Sequence, residues 1–189
     1  MRALLERCRA LGDLPEPVLG DLREALAGDV DRTELESLLV HDDRRPYGRR
    51  VLEDGPQVEM MIASWTRGVM CAPHDHGGSI GAVRVLRGEA LHRTWTLRGG
   101  RLELVAEDRV GPGHVLACGP DMIHSMGDAG ADERLATLHL YTGPIPYMVV
   151  YDVTGRRTLQ VAASCGAWLP EPELIVREMP GIARRAAIA

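Results

Sequence analysis

From Tyr47 onward the chain is written in short apolar runs, each broken after a few residues by Gly, Pro or Asp. Runs of this length fit strands better than helices. Val58–Trp65, Gly81–Leu86, Ala90–Leu97, Arg101–Glu107, Val115–Ala117, Leu135–Tyr141, Tyr147–Val153 and Arg157–Val161 are the strand candidates. Gly99-Gly100 and Thr154-Gly155 lie between neighbouring candidates as hairpin turns. So many short strands predict a mainly β domain, a sandwich or small barrel.

The first 44 residues have a different texture and read as a short helical segment. Val18, Leu22, Ala25 and Leu26 recur at the spacing of one helix face, with Pro17 in the first turn and Gly28 closing the run. Asp31 followed by Glu34 resembles a capping box before the stripe Leu35, Leu38 and Leu39. This piece is too small to be a second domain and is expected to pack on the sheet. The chain of 189 residues is the size of one domain. It is expected to divide into N-terminal helices (1–44), a barrel (45–165) and a C-terminal extension (166–189), with Ile182–Ala189 loosely held.

Composition narrows the function. All 22 basic residues are Arg, net charge is −5, and basic residues cluster only in short Arg runs, so nucleic acid is not an expected partner. No run of about 18 uncharged apolar residues exists, so no membrane helix is expected. Cys8, Cys71, Cys118 and Cys165 are far apart and form no C-x-x-C pair, which excludes the common zinc and disulfide frameworks. The charged N-terminus is unlike a secretory leader, and a cytoplasmic protein with reduced thiols is expected. Cys71 and Cys118 read as small buried hydrophobes.

The chemistry lies in the histidines. His41, His92 and His114 have no partner in sequence and read as surface or satisfied core residues. His74 and His76 are an i, i+2 pair, and on an extended chain two such imidazoles aim at one point. Around them stand Gly68, Gly81 and Gly88; further on come Gly113, the turn Gly119-Pro120-Asp121, His124 and Asp128.

These spacings resemble the two motifs of the cupin family, with Gly81 at the carboxylate position of the first and Asp128 in place of Asn in the second. Trp65, the triplet His74-Asp75-His76, Ser79 and Leu138-His139-Leu140-Tyr141 narrow the resemblance to thiol dioxygenases of the cysteine dioxygenase type. Tyr47-Gly48-Arg49 resembles that family's Tyr-x-Arg segment. Gly81 stands where animal members place the Cys of a Cys-Tyr crosslink, as in bacterial members. Thr142-Gly143-Pro144 departs from the family's Ser-Pro-Pro. The resemblance implies a cupin-type double-stranded β-helix, or jelly-roll, barrel. It implies His74, His76 and His124 as ligands of Fe(II), Arg49 as the holder of the substrate carboxylate, and Tyr141, steadied by His139, as the hydroxyl facing substrate or O2. Tyr47 and Trp65 would complete the substrate pocket.

Imidazoles suit iron, zinc, copper and nickel alike, and three neutral ligands leave the full charge of a divalent metal available to an anionic thiolate. Arg49 offers a planar fork for a carboxylate. The expected activity is addition of both atoms of O2 to a small thiol, with L-cysteine giving cysteine sulfinate. No 2-oxoglutarate, flavin or nicotinamide is required. 3-Mercaptopropionate or mercaptosuccinate is the alternative substrate, the latter through an Arg45-Arg49-Arg50 cluster. A non-catalytic metal- or ligand-binding cupin is the alternative class. Beyond the small thiol and O2 no partner is expected, and the protein is expected to be a monomer or weak homodimer.

Overall fold

The computed structural model describes residues 2–179 apart from 15, 29, 131, 144, 146 and 163. Pro144 and the segment 182–189 therefore lie outside the described residues. Three short helices come first: α1 (Arg2–Ala10), α2 (Leu19–Ala25) and α3 (Arg32–Leu38). Asp31 caps α3 by accepting from the Glu34 N–H at 2.9 Å. Val18, not Pro17, is the N-cap of α2, with its N–H donating to Asp21 at 2.8 Å. Pro17 thus precedes the helix, and Val18 is exposed rather than on the buried face.

Eleven strands follow among the described residues: β1 (Tyr47–Asp54), β2 (Val58–Trp65), β3 (Gly81–Arg87), β4 (Ala90–Arg98), β5 (Arg101–Val110), β6 (Val115–Cys118), β7 (Ile123–Asp128), β8 (Ala136–Thr142), β9 (Tyr147–Asp152), β10 (Arg157–Ala162) and β11 (Ile175–Met179). β1, β7 and β11 have no counterpart among the strands expected from sequence. β1 is rich in charge, β11 is charged and largely exposed, and β7 buries polar side chains, so none is an apolar run.

One sheet has the order β1-β2-β8-β3-β6; two smaller ones run β5-β4-β7 and β11-β10-β9, and every pairing is antiparallel. The extended segment around His74 joins the two smaller sheets. His74 bridges His124 of β7 on one side and Val150 of β9 on the other. Its N–H donates to the His124 carbonyl at 2.9 Å, and the His124 N–H returns the bond at 3.0 Å. The result is a mainly β jelly roll of two facing layers, which do not close into one continuous hydrogen-bonded barrel.

Strand parity divides the five-stranded sheet. Val58, Met60, Ala82, Leu138 and Leu140 face outward under Leu4, Cys8, Leu22 and Leu26 of the helical segment. Full burial of such side chains is worth about 1.5–3 kcal/mol each. The residues between them face inward. There Ala63, Trp65, Val83 and Val85 meet Met126, Val150, Leu159 and Val161 of the opposite layer. The cavity opens within this inner layer, lined by Arg49, Trp65, His139 and Tyr141 together with the imidazoles His74, His76 and His124.

Candidate active site

His74 and His76 stand at the end of the bridging segment, and His124 is on β7. Their donor nitrogens lie within 4.8 Å of one another, and all three side chains are buried. His74 Nδ1 faces the Ala72 carbonyl at 2.9 Å. A carbonyl only accepts, so Nδ1 carries the proton and Nε2 keeps its lone pair. His124 Nδ1 lies 3.0 Å from His92 Nε2. With the His124 proton on Nδ1, donated to His92, its Nε2 is likewise free. That Nε2 is 3.3 Å from His76 Nε2.

Burial opposes protonation of all three rings. The His74 pKa is lowered to about 4, mainly by desolvation, and those of His76 and His124 are driven well below the ordinary value by desolvation and then by neighbouring imidazoles. Three neutral nitrogen donors converging on one point fit a divalent metal ion of the imidazole-binding class. Among the described residues the Nδ1 of His76 is buried without a hydrogen-bond partner, and the ring packs against those of His74, His124 and Tyr141.

On β8, Thr137, His139 and Tyr141 share the inward face. Trp65 Nε1 donates to Thr137 Oγ1 at 2.8 Å; Thr137 Oγ1 is 2.8 Å from His139 Nε2; and His139 Nδ1 is 3.1 Å from the Tyr141 hydroxyl. An indole N–H can only donate, so Thr137 Oγ1 accepts from Trp65. In the tautomer with the His139 proton on Nδ1, Thr137 donates to His139 Nε2, His139 donates to the Tyr141 oxygen, and the Tyr141 hydrogen is left to point into the cavity. Desolvation lowers the His139 pKa to about 3 and pushes that of Tyr141 well up, so the chain is neutral throughout.

Arg49 projects from β1 into the same cavity, and Arg50, the next residue, is exposed. Two carbonyls orient the Arg49 guanidinium: Nη2 donates to Ser164 at 2.8 Å and Nη1 to Cys165 at 3.5 Å. The Trp168 ring lies 5.9 Å from it. Tyr47 packs between Trp65 and Trp168, and its hydroxyl accepts from the Ala167 N–H at 2.9 Å. Of the cluster Arg45, Arg49 and Arg50 considered from sequence, Arg49 alone lines the cavity; Arg45 lies over the same Trp168 ring, at 4.6 Å, and pairs with Glu171 at 3.1 Å, while Arg50 is exposed.

All eight residues singled out for the metal and substrate come together here. Four others were not legible. His92 reads from sequence as a surface or satisfied core residue; it is buried, and its Nε2 accepts from the Nδ1–H of His124. The cross-strand pairing of β4 with β7 makes that contact, and no local motif announces it. Glu59 lines the cavity from β2, Cys165 from the turn after β10, and Ser164 orients Arg49 from 115 residues away in sequence. The alternation of β2 carries the one sequence signal among them: Glu59 shares a face with Met61 and Trp65.

A family model described as cysteine dioxygenase type I matches residues 21–154. Among solved structures, the chain is similar to an uncharacterized conserved protein with a double-stranded β-helix domain from Klebsiella pneumoniae (13% identity over 61% of this chain and 92% of that one, TM-score 0.49). It is also similar to an RmlC-like cupin protein from Desulfovibrio desulfuricans (16%, 55% and 88%, TM-score 0.44) and to an oxalate oxidase (19%, 71% and 67%, TM-score 0.49).

Proposed function

The chain belongs to the cysteine dioxygenase type I family, and from that membership we propose that it is an Fe(II)-dependent thiol dioxygenase that converts L-cysteine to cysteine sulfinate. The observation that carries the reading is the placement of the three-imidazole group beside the Trp65–Thr137–His139–Tyr141 chain and the Arg49 fork in one cavity. A metal centre alone would serve many cupins. A donor hydroxyl and a carboxylate clamp facing the same space serve a small thiol acid.

His74, His76 and His124 would hold the iron. Iron(II) there would supply the electron transfer that lets a thiolate react with O2. The sulfur gives up four electrons and takes both oxygen atoms, so no external reductant enters. Arg49 binds the carboxylate in a forked pair. Tyr141 donates its hydrogen bond toward the thiolate side of the cavity, in an orientation that His139 maintains. Trp65 and Tyr47 wall the cavity and keep water from the polar chain.

Four buried free thiols suit a reducing cytoplasm, and among the described residues no helix is long and apolar enough to cross a membrane. We take the protein to act on its small thiol as a monomer or weak homodimer.

The test is anaerobic reconstitution with Fe(II), then O2 uptake against cysteine, cysteamine, 3-mercaptopropionate and mercaptosuccinate. With labelled O2, both oxygen atoms of the sulfinate should carry label. Uptake with none of these thiols, or a product with one oxygen from water, would refute the assignment.

A further inference from the structure

Among the described residues that line the cavity, two carry a formal charge: Arg49 and Glu59. Glu59 is half-buried on the inward face of β2, directly across from Tyr141 of β8. Burial raises the pKa of its carboxyl group, and the Arg49 charge opposes that shift. The neighbouring strand β1 places Arg49 opposite Ala63, four positions further along β2 on the same face. That is about 13 Å of strand. Arg49 from β1 and Glu59 from β2 therefore both line the cavity, with their backbones four positions apart along the sheet.

This arrangement limits what charge the cavity can take. A divalent cation in the imidazole site balances a thiolate and one carboxylate, and Arg49 and Glu59 balance each other. A second carboxylate would leave a net negative charge in a cavity that Glu59 already lines. Burial of Glu59 makes that repulsion stronger than it would be in water.

We propose that Glu59 is a specificity-determining residue that restricts the cavity to thiols carrying one carboxylate and turns away dicarboxylate thiols. Arg49 alone cannot make this distinction, because a guanidinium welcomes either acid. An amino group on the substrate is compatible with Glu59, and its cationic form is attracted. The inference rests on the thiol-dioxygenase reading for the identity of the ligand and on the two cavity charges for the selection.

The test compares the wild type with Glu59→Gln, which removes the charge and keeps the size of the side chain. Binding of 3-mercaptopropionate and mercaptosuccinate to Fe(II)-loaded protein would be measured by calorimetry without oxygen. Propionate and succinate, which lack sulfur, would be measured alongside by ligand-observed NMR. Glu59→Gln should improve binding of the dicarboxylate relative to the monocarboxylate by about tenfold in each pair. Far-UV circular dichroism and the melting temperature would verify that the variant is folded, and Glu59→Asp, which keeps the charge, should retain the wild-type preference. An unchanged ratio in folded Glu59→Gln would overturn the proposal, as would failure of every one of these acids to bind the wild type. O2 uptake separates the two readings: no uptake with any thiol would defeat the dioxygenase assignment, while the propionate and succinate ratio would still report on Glu59.

Discussion

Gly81 of β3 and Tyr141 of β8 are register partners, and the aromatic ring occupies the place where a side chain at residue 81 would begin. A Cβ built on Gly81 lies 2.5 Å from Tyr141 Cδ1 and 2.6 Å from Cε1. The glycine is thus what allows the ring to lean over the β3 backbone and bring its hydroxyl to His139. Gly81→Ala should displace the ring and lower kcat by at least tenfold while leaving metal content intact. Equal activity in the two proteins would show that the ring position does not matter. For the same reason no thioether can form at residue 81, and intact mass before and after turnover should show no loss of two hydrogens from a Tyr141 peptide.

Replacing His74, His76 or His124 by Ala should leave a folded protein that no longer retains iron. The core between the layers is built from Val83, Val85, Met126 and Leu159 and does not depend on the imidazoles. Iron per chain after desalting is the measurement, and full occupancy in His124→Ala would remove that residue from the ligand set.

His92→Phe should weaken iron binding by about 10- to 100-fold, although residue 92 touches no metal. The substitution takes away the acceptor of the His124 Nδ1–H and leaves a buried donor unpaired, at a cost of about 1–3 kcal/mol. Competition with a chelator reads the affinity. His92→Gln, whose carbonyl oxygen can accept, should recover part of it.

Arg49→Ala should cost about 2–4 kcal/mol in kcat/KM for cysteine, because a substrate carboxylate loses its partner in a partly dry cavity. Cysteamine has no carboxylate, and its turnover should change little. If both thiols lose activity equally, Arg49 serves the fold, through its bonds to the Ser164 and Cys165 carbonyls, and not the substrate.

Acid should destabilise the metal-free protein well above the range where carboxylates titrate. The folded-state pKa values of His74 and His139 are about 4 and about 3, against about 6.5 for an unfolded imidazole. Below about pH 6.5 the unfolded chain binds protons that the folded chain refuses, so stability falls as pH falls and levels off near pH 3–4. Each of the two imidazoles would contribute about 2 kcal/mol of that loss by pH 5. Urea midpoints at pH 7.5 and pH 5 measure it; a higher midpoint at pH 5 would contradict the buried neutral rings.

The strands that sequence reveals are those whose apolar residues run together, such as Val58–Trp65 and Leu135–Tyr141. β7 escapes because Ile123–Asp128 buries His124, Ser125 and Asp128 in a polar interior that only long-range pairing makes tolerable. The metal ligands are readable because glycines at fixed spacing frame them, and Tyr141 with His139 because they alternate within one strand. His92, Ser164 and Cys165 have no such frame, and Glu59 has only the alternation of β2. Their roles depend on which strand lies beside which, and that is decided by packing across the whole domain.

The two-faced character of β8 has a consequence for how this chain can vary. Thr137, His139 and Tyr141 face inward, the last two onto the cavity, while Leu138 and Leu140 are buried under the N-terminal helices. A saturation library across Ala136–Thr142 should therefore separate into two interleaved phenotypes. Substitutions at the odd-numbered inward positions would yield abundant protein with altered turnover, and those at residues 138 and 140 would reduce the yield of soluble protein at unchanged activity per folded molecule. Catalysis and foldability on this strand are then open to selection one at a time, through neighbouring codons.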